Sequence, residues 1–162
     1  MIRSTRPGGD SGQRENHGPR VASSLTDRPA TAGVTAAVLL VIAGLHVTWG
    51  LGSSFPFRSR EQLADAVVGR TEVPPFGACV AVASVLALGA VLVAGVVPLP
   101  GRLRTVALRT VATVLATRGL AGALGRTAAL SPGSESSTFQ RLDKRIYAPL
   151  CLWLAAGVRR SI

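Results

Sequence analysis

The chain is 162 residues long, 48% hydrophobic and 16% charged, with a mean hydropathy of +0.38. That is apolar-heavy and charge-poor for a soluble domain of this size, and with aromatics at 4% the apolar share is mostly Ala, Val and Leu. The net charge of +10 raises nucleic acid as a partner, but the basic residues lie between and beside the apolar runs, not on one amphipathic face. That distribution argues against a nucleic-acid module and fits a membrane protein. All the basic residues but Lys144 are arginine, the bias of a GC-rich bacterial genome.

Residues 1–30 are rich in Gly, Ser, Pro and charge and hold almost no large apolar side chain, so a disordered basic tail is expected there. His17 within it reads as a solvated histidine, and no signal peptide is apparent. The first apolar run, residues 31–52 (TAGVTAAVLLVIAGLHVTWGLG), carries no charge. At ~1.5 Å per residue it is long enough for a bilayer core of ~30 Å. Next comes SSFPFRSREQLADAVVGRTEVPP, in which EQLADAVVG reads as a short interfacial helix with Leu63, Ala66 and Val67 on one face. The second run, residues 76–97, is also uncharged, and Pro74, Pro75, Pro98 and Pro100 bracket it as helix boundaries.

The third run, residues 103–124, contains Arg104, Arg109 and Arg118. An arginine at a helix centre costs about 2.5–3.5 kcal/mol on insertion scales, so the arginines are expected to face the bundle or snorkel. Thr110, Thr113 and Thr117 follow the spacing of one helical face bordered by Arg109, and that stripe is expected to face inward. The fourth run, residues 146–158 (IYAPLCLWLAAGV), makes only about 20 Å of helix, so its span is expected to be short. The basic end 159–162 follows. The basic tail and the short basic loop after the second run place both termini on the cytoplasmic side. The reading is an all-α polytopic protein of the cell membrane, with four transmembrane helices at 31–52, 76–97, 103–124 and 146–158.

That topology puts His46 about 9 Å below the outer end of the first helix, and Arg118 at matching depth in the third. Trp49 and Gly50 share the His46 face. The fourth helix enters from the outer side with Asp143, Tyr147 and Cys151, and Asp143 is the acid placed to pair with Arg118. His46, Trp49, Arg118, Asp143 and Tyr147 are the candidate ligand-binding cluster. In one reading Arg118 holds a small anionic or lipid-like head group and His46 is a hydrogen-bond partner or proton acceptor. In the other, His46 bonds a threonine or carbonyl across helices. Arg118 then staples the third helix to the 143–147 corner, and Trp49 and Tyr147 are interfacial anchors.

Cys79 and Cys151 lie within apolar runs without a CxxC pair, so metal and redox motifs are absent; a disulfide between them is one option and buried thiols the other. Gly119, Gly122 and Gly125 permit close helix packing, within the chain or between copies. No catalytic motif, metal site or cofactor site is found, which favours a non-enzymatic structural or accessory component. The expected partners are the lipid bilayer and either another membrane protein or a second copy.

The segments LHVTWGLGSSFP, REQLADAVVG, ATRGLAGALG and RLDKRIYAPLCLWLA together resemble domain of unknown function family 3995, small bacterial membrane proteins of about four helices frequent in actinobacteria. The resemblance covers about residues 33–158. It implies a membrane location and supplies no catalytic residues. This chain departs from the family pattern at its C-terminus, where the fourth helix looks cut short.

Overall fold

A computed structural model describes residues 22–134 and 136–162, with side chains from Ala30 onward. Of the disordered tail expected over 1–30, residues 1–21 lie outside the described residues, and residues 22–30 are instead helical, the first turns of α1. The elements are α1 (Ala22–Gly50), α2 (Arg60–Val67), α3 (Phe76–Ala94), α4 (Gly101–Ala123), α5 (Thr127–Leu130), α6 (Ser137–Leu142), a π-helical turn (Asp143–Tyr147) and α7 (Ala148–Arg160). The described residues are all-α.

Four long elements run up and down, and one apolar core joins them. Ala36 and Leu39 of α1 meet Ala90 and Val93 of α3, Leu108 and Ala112 of α4, and Leu154 and Val158 of α7. The α1–α3 pair is antiparallel and tight because its facing positions are small at alternating three- and four-residue steps: Ala36, Leu39, Ala43 and Gly50 against Cys79, Ala83, Ala90 and Val93. A Cβ on Gly50 would stand 3.1 Å from both Cys79 and Phe76. Gly95, in the left-handed region at φ 69°, ends α3, its N–H reaching Leu92 O while Val96 N–H reaches Val91 O. The helix thus stops before Val96 and Val97, which the sequence reading had included.

The α4–α7 pair is also antiparallel, and it is closed by glycine. A Cβ on Gly119 would lie 2.7 Å from Leu152 Cγ and 3.0 Å from the Ala148 carbonyl oxygen. Across the bundle, Gly157 of α7 makes room for the buried Thr35 of α1, whose hydroxyl donates to Thr31 O at 2.8 Å. The glycine packing is thus within the chain.

Two helical stretches, Ala30–Gly50 and Phe76–Ala94, are long and apolar enough to cross a membrane. Their outer faces expose Val34, Val41, Val85 and Leu88.

Two expectations are corrected. Thr110, Thr113 and Thr117 point outward, as does Arg109. The inward face of α4 is Leu108, Ala112, Gly119 and Gly122, because only small residues and one leucine fit against α7. The exposed Thr110 hydroxyl is satisfied by donating to Val106 O at 3.0 Å on its own helix. The fourth helical segment is longer than its apolar run. Ser136 caps it by accepting the Phe139 N–H, and the helical backbone continues from Ser137 through the π turn to Arg160. At ~1.5 Å per residue that rod is roughly 36 Å long.

One end of the bundle carries α2, α5 and α6; the other is held by Arg104. Its guanidinium donates to Ser161 O at 3.0 Å and Leu92 O at 3.5 Å, tying the carboxyl ends of α7 and α3 together. On α2, Leu63, Ala64 and Ala66 are buried, so its apolar face faces α6 with Ala64 in place of Val67.

Candidate functional site

The five residues of the candidate cluster fall into two groups. His46 and Trp49 close α1. His46 Nδ1 is 2.8 Å from the Ile42 carbonyl oxygen one turn back; a carbonyl only accepts, so Nδ1 carries the proton. The bond runs along α1 itself, not across helices. The imidazole and the indole lie 5.0 Å apart, tilted by 53°. Trp49 is buried, and its Nε1–H donates to Phe55 O at 2.6 Å, pulling the following loop over the helix end. Arg60 Nη1 donates to Trp49 O at 3.3 Å, covering one terminal carbonyl of α1.

The second group forms around Asp143, which is 1% exposed. Its Oδ1 accepts from Arg118 Nη2 at 2.8 Å, and its Oδ2 accepts from the buried Thr127 hydroxyl. α4 supplies the guanidinium, α5 the hydroxyl and the π turn the carboxylate. The three elements are thus fixed to one another by charge-assisted bonds. Gly122 makes the arrangement possible. A Cβ there would sit 2.9 Å from Arg118 Nη1, from Asp143 Oδ1 and from Ala148 Cβ. Arg118 Nη1 is buried and has no hydrogen-bond partner. A cavity of about 20 Å³ bounded by Asp143, Thr127, Ser134 and Gly125 lies beside the pair, room for about one water molecule.

Tyr147 leaves the same π turn in another direction. Its hydroxyl donates to Ala66 O on α2 at 3.1 Å, and its ring lies 6.3 Å from that of the buried Phe139. Among the described residues the hydrogen bonds of the His46–Trp49 corner run to Ile42, Phe55 and Arg60 and those of Asp143 to Arg118 and Thr127, so the two are separate features. The structure brings together Arg118, Asp143 and, through the π turn, Tyr147. Cys79 and Cys151 are both free thiols. Sequence reasoning missed Thr127 and Phe139. A threonine after a helix end carries no signal of its partner, whereas Phe139 follows Ser136 at a capping distance that marks a helix start.

The remaining polar surface at this end belongs to α2. Ser59 caps it by accepting the Gln62 N–H at 3.3 Å. The Ser59 hydroxyl, and then the backbone N–H of Glu61, hold the exposed Glu61 carboxyl below its ordinary range. No group of three or more His, Cys, Asp or Glu side chains among the described residues is placed to hold a metal ion.

The fold and these contacts define an all-helical protein whose two most apolar helices are long enough to cross a membrane and whose polar side chains tie helix ends together. Residues 39–158 match the model of the family described as protein of unknown function (DUF3995), and the chain belongs to that family. No curated protein and no solved structure matches it.

Proposed function

We propose that this chain is a four-span integral protein of the cell membrane, with both termini cytoplasmic, acting as a non-enzymatic structural or accessory component. The observation that carries the reading is where the polar groups go. His46, Trp49, Asp143 and Tyr147 each bond within the chain, to Ile42, Phe55, Arg118 with Thr127, and Ala66 respectively. Side chains so engaged hold helix ends and loops. The Ser137–Arg160 rod, at roughly 36 Å, is long enough for a fourth crossing. In α4, Arg118 is neutralised by Asp143, and Arg104 sits at the helix end, where it snorkels.

Arg118→Ala decides the matter. The staple reading expects lower abundance in the membrane and a lower thermal midpoint in detergent, with unchanged adducts in native mass spectrometry. The unpartnered Nη1 of Arg118 favours a second reading, a binder or carrier of a small anionic or lipid-like ligand. In that case the variant accumulates normally and loses a stoichiometric adduct. Crosslinking in native membranes tests the accessory role; recovery of the chain alone removes it.

A further inference from the structure

At the end of the bundle that carries α2 and α6, the surface opens into a cavity of about 620 Å³ with Glu61, Asp65, Arg70, Thr71 and Ser136 in its walls. Glu61 and Asp65 stand one turn apart on α2, hence on one face. Arg70 follows Gly69, whose left-handed backbone (φ 73°) is pressed onto α6: a Cβ there would lie 2.9 Å from the Phe139 ring. The Arg70 guanidinium is fixed on the far side. Its Nη2 donates to Pro132 O, and a Cβ on Gly133 would lie 3.3 Å from its Nε. Among the described residues one of its five N–H donors is thus engaged, and the side chain lines the cavity. Among the described residues, Glu61, Asp65 and Arg70 make no ion pair, so one cavity holds both signs of charge without mutual neutralisation.

Such a cavity suits a two-ended ligand. A simple anion meets two carboxylates, and a metal ion meets the guanidinium. A quaternary ammonium calls for an aromatic cage, and no aromatic residue lines these walls. A primary ammonium joined to a phosphate satisfies both halves. The hydrogen bond from Ser59 that lowers the Glu61 carboxyl below its ordinary range favours its charged form. The apolar stretches end at Gly50 and begin again at Phe76 at this same end, which sets the cavity where lipid headgroups lie. We infer that the cavity between α2, Gly133 and Ser136 binds the phosphoethanolamine headgroup of a zwitterionic phospholipid, phosphate on Arg70 and ammonium on Asp65 and Glu61. The lipid source rests on the four-span reading; the headgroup chemistry does not.

The test uses the full chain in a neutral detergent, titrated with short-chain phosphatidylethanolamine and phosphatidylcholine and followed by native mass spectrometry. The ethanolamine lipid is expected to bind about tenfold more tightly, since only it donates N–H bonds to the carboxylates. Asp65→Asn removes that preference, and Arg70→Gln weakens both lipids. Glu61→Gln, on the exposed surface of α2, serves where Arg70→Gln fails to fold. Equal binding of the two lipids overturns the inference, as does a preference that survives both Asp65→Asn and Glu61→Gln. O-phosphoethanolamine and glycine distinguish the source: glycine binding as well as O-phosphoethanolamine removes the phospholipid. A chain that fractionates as soluble yet still prefers O-phosphoethanolamine over phosphocholine removes the four-span reading and keeps the headgroup site.

Discussion

The two helix pairs of this bundle solve the same packing problem with different chemistry. α1 and α3 carry no charge in their apolar stretches and meet mainly through alanines, Leu39, Val93 and one cysteine, with glycine at Gly50 under Phe76 and at Gly89 beside Leu39. α4 carries four arginines, and its contact with α7 depends on Gly119 and Gly122 and on one buried ion pair. The first pair is expected to tolerate substitution, because its contacts are many and individually weak. The second concentrates its fit in a few positions, as chains must when a charged helix is packed inside.

The sharpest way to break the second pair is Asp143→Ala, which strands the Arg118 guanidinium and the Thr127 hydroxyl together. Removing one partner of a buried pair costs about 3–5 kcal/mol. Arg118 keeps 31% of its side chain exposed, so the lower end, about 3 kcal/mol, is expected in thermal unfolding in detergent. Gly119→Ala ranks next. Its methyl would meet Leu152 and the backbone oxygen of Ala148, and the backbone cannot rotate away, so a loss of about 2 kcal/mol is expected. The matched control is Gly44→Ala in α1, where a Cβ has nothing within 4 Å. It is expected to leave stability within about 1 kcal/mol of the parent, on the favourable side. A loss as large as that of Gly119→Ala would erase the contrast between the pairs. The smallest loss is expected of Trp49→Phe. It keeps the apolar bulk but leaves Phe55 O without its donor, for about 1 kcal/mol and faster proteolysis of the 51–59 loop.

The same contrast explains what the sequence disclosed. The first two apolar runs were legible because hydropathy and flanking prolines act locally: α3 begins at the expected Phe76, and both helices end within three residues of the expected places, while α1 begins at Ala22, nine residues before its apolar run. The pairing of Arg118 with Asp143 was legible as well, since few acids lie near the apolar runs. The facing of α4 was not. A threonine stripe looks like a bundle face, but what selects the inner face is the space α7 leaves, and that is a property of the partner. The start of the fourth helical segment was hidden because residues 137–145 are polar, while the cap that begins it is a single serine. The partners of Trp49 and Tyr147 are backbone carbonyls, which no side-chain pattern records.

The π turn at Asp143–Tyr147 sets the phase of the rod it interrupts. An α-helix advances about 100° per residue. The extra residue in that turn therefore lets α7 present Ala148 and Leu152 to α4 while α6 presents Phe139 to Gly69. Deleting one residue between Lys144 and Ile146 would let the turn close as α with both α6 and α7 still seated. Tightening it to α with all five residues kept would swing α6 by about a quarter of a revolution, drawing Phe139 out from under α2 and opening the whole capped end as one unit.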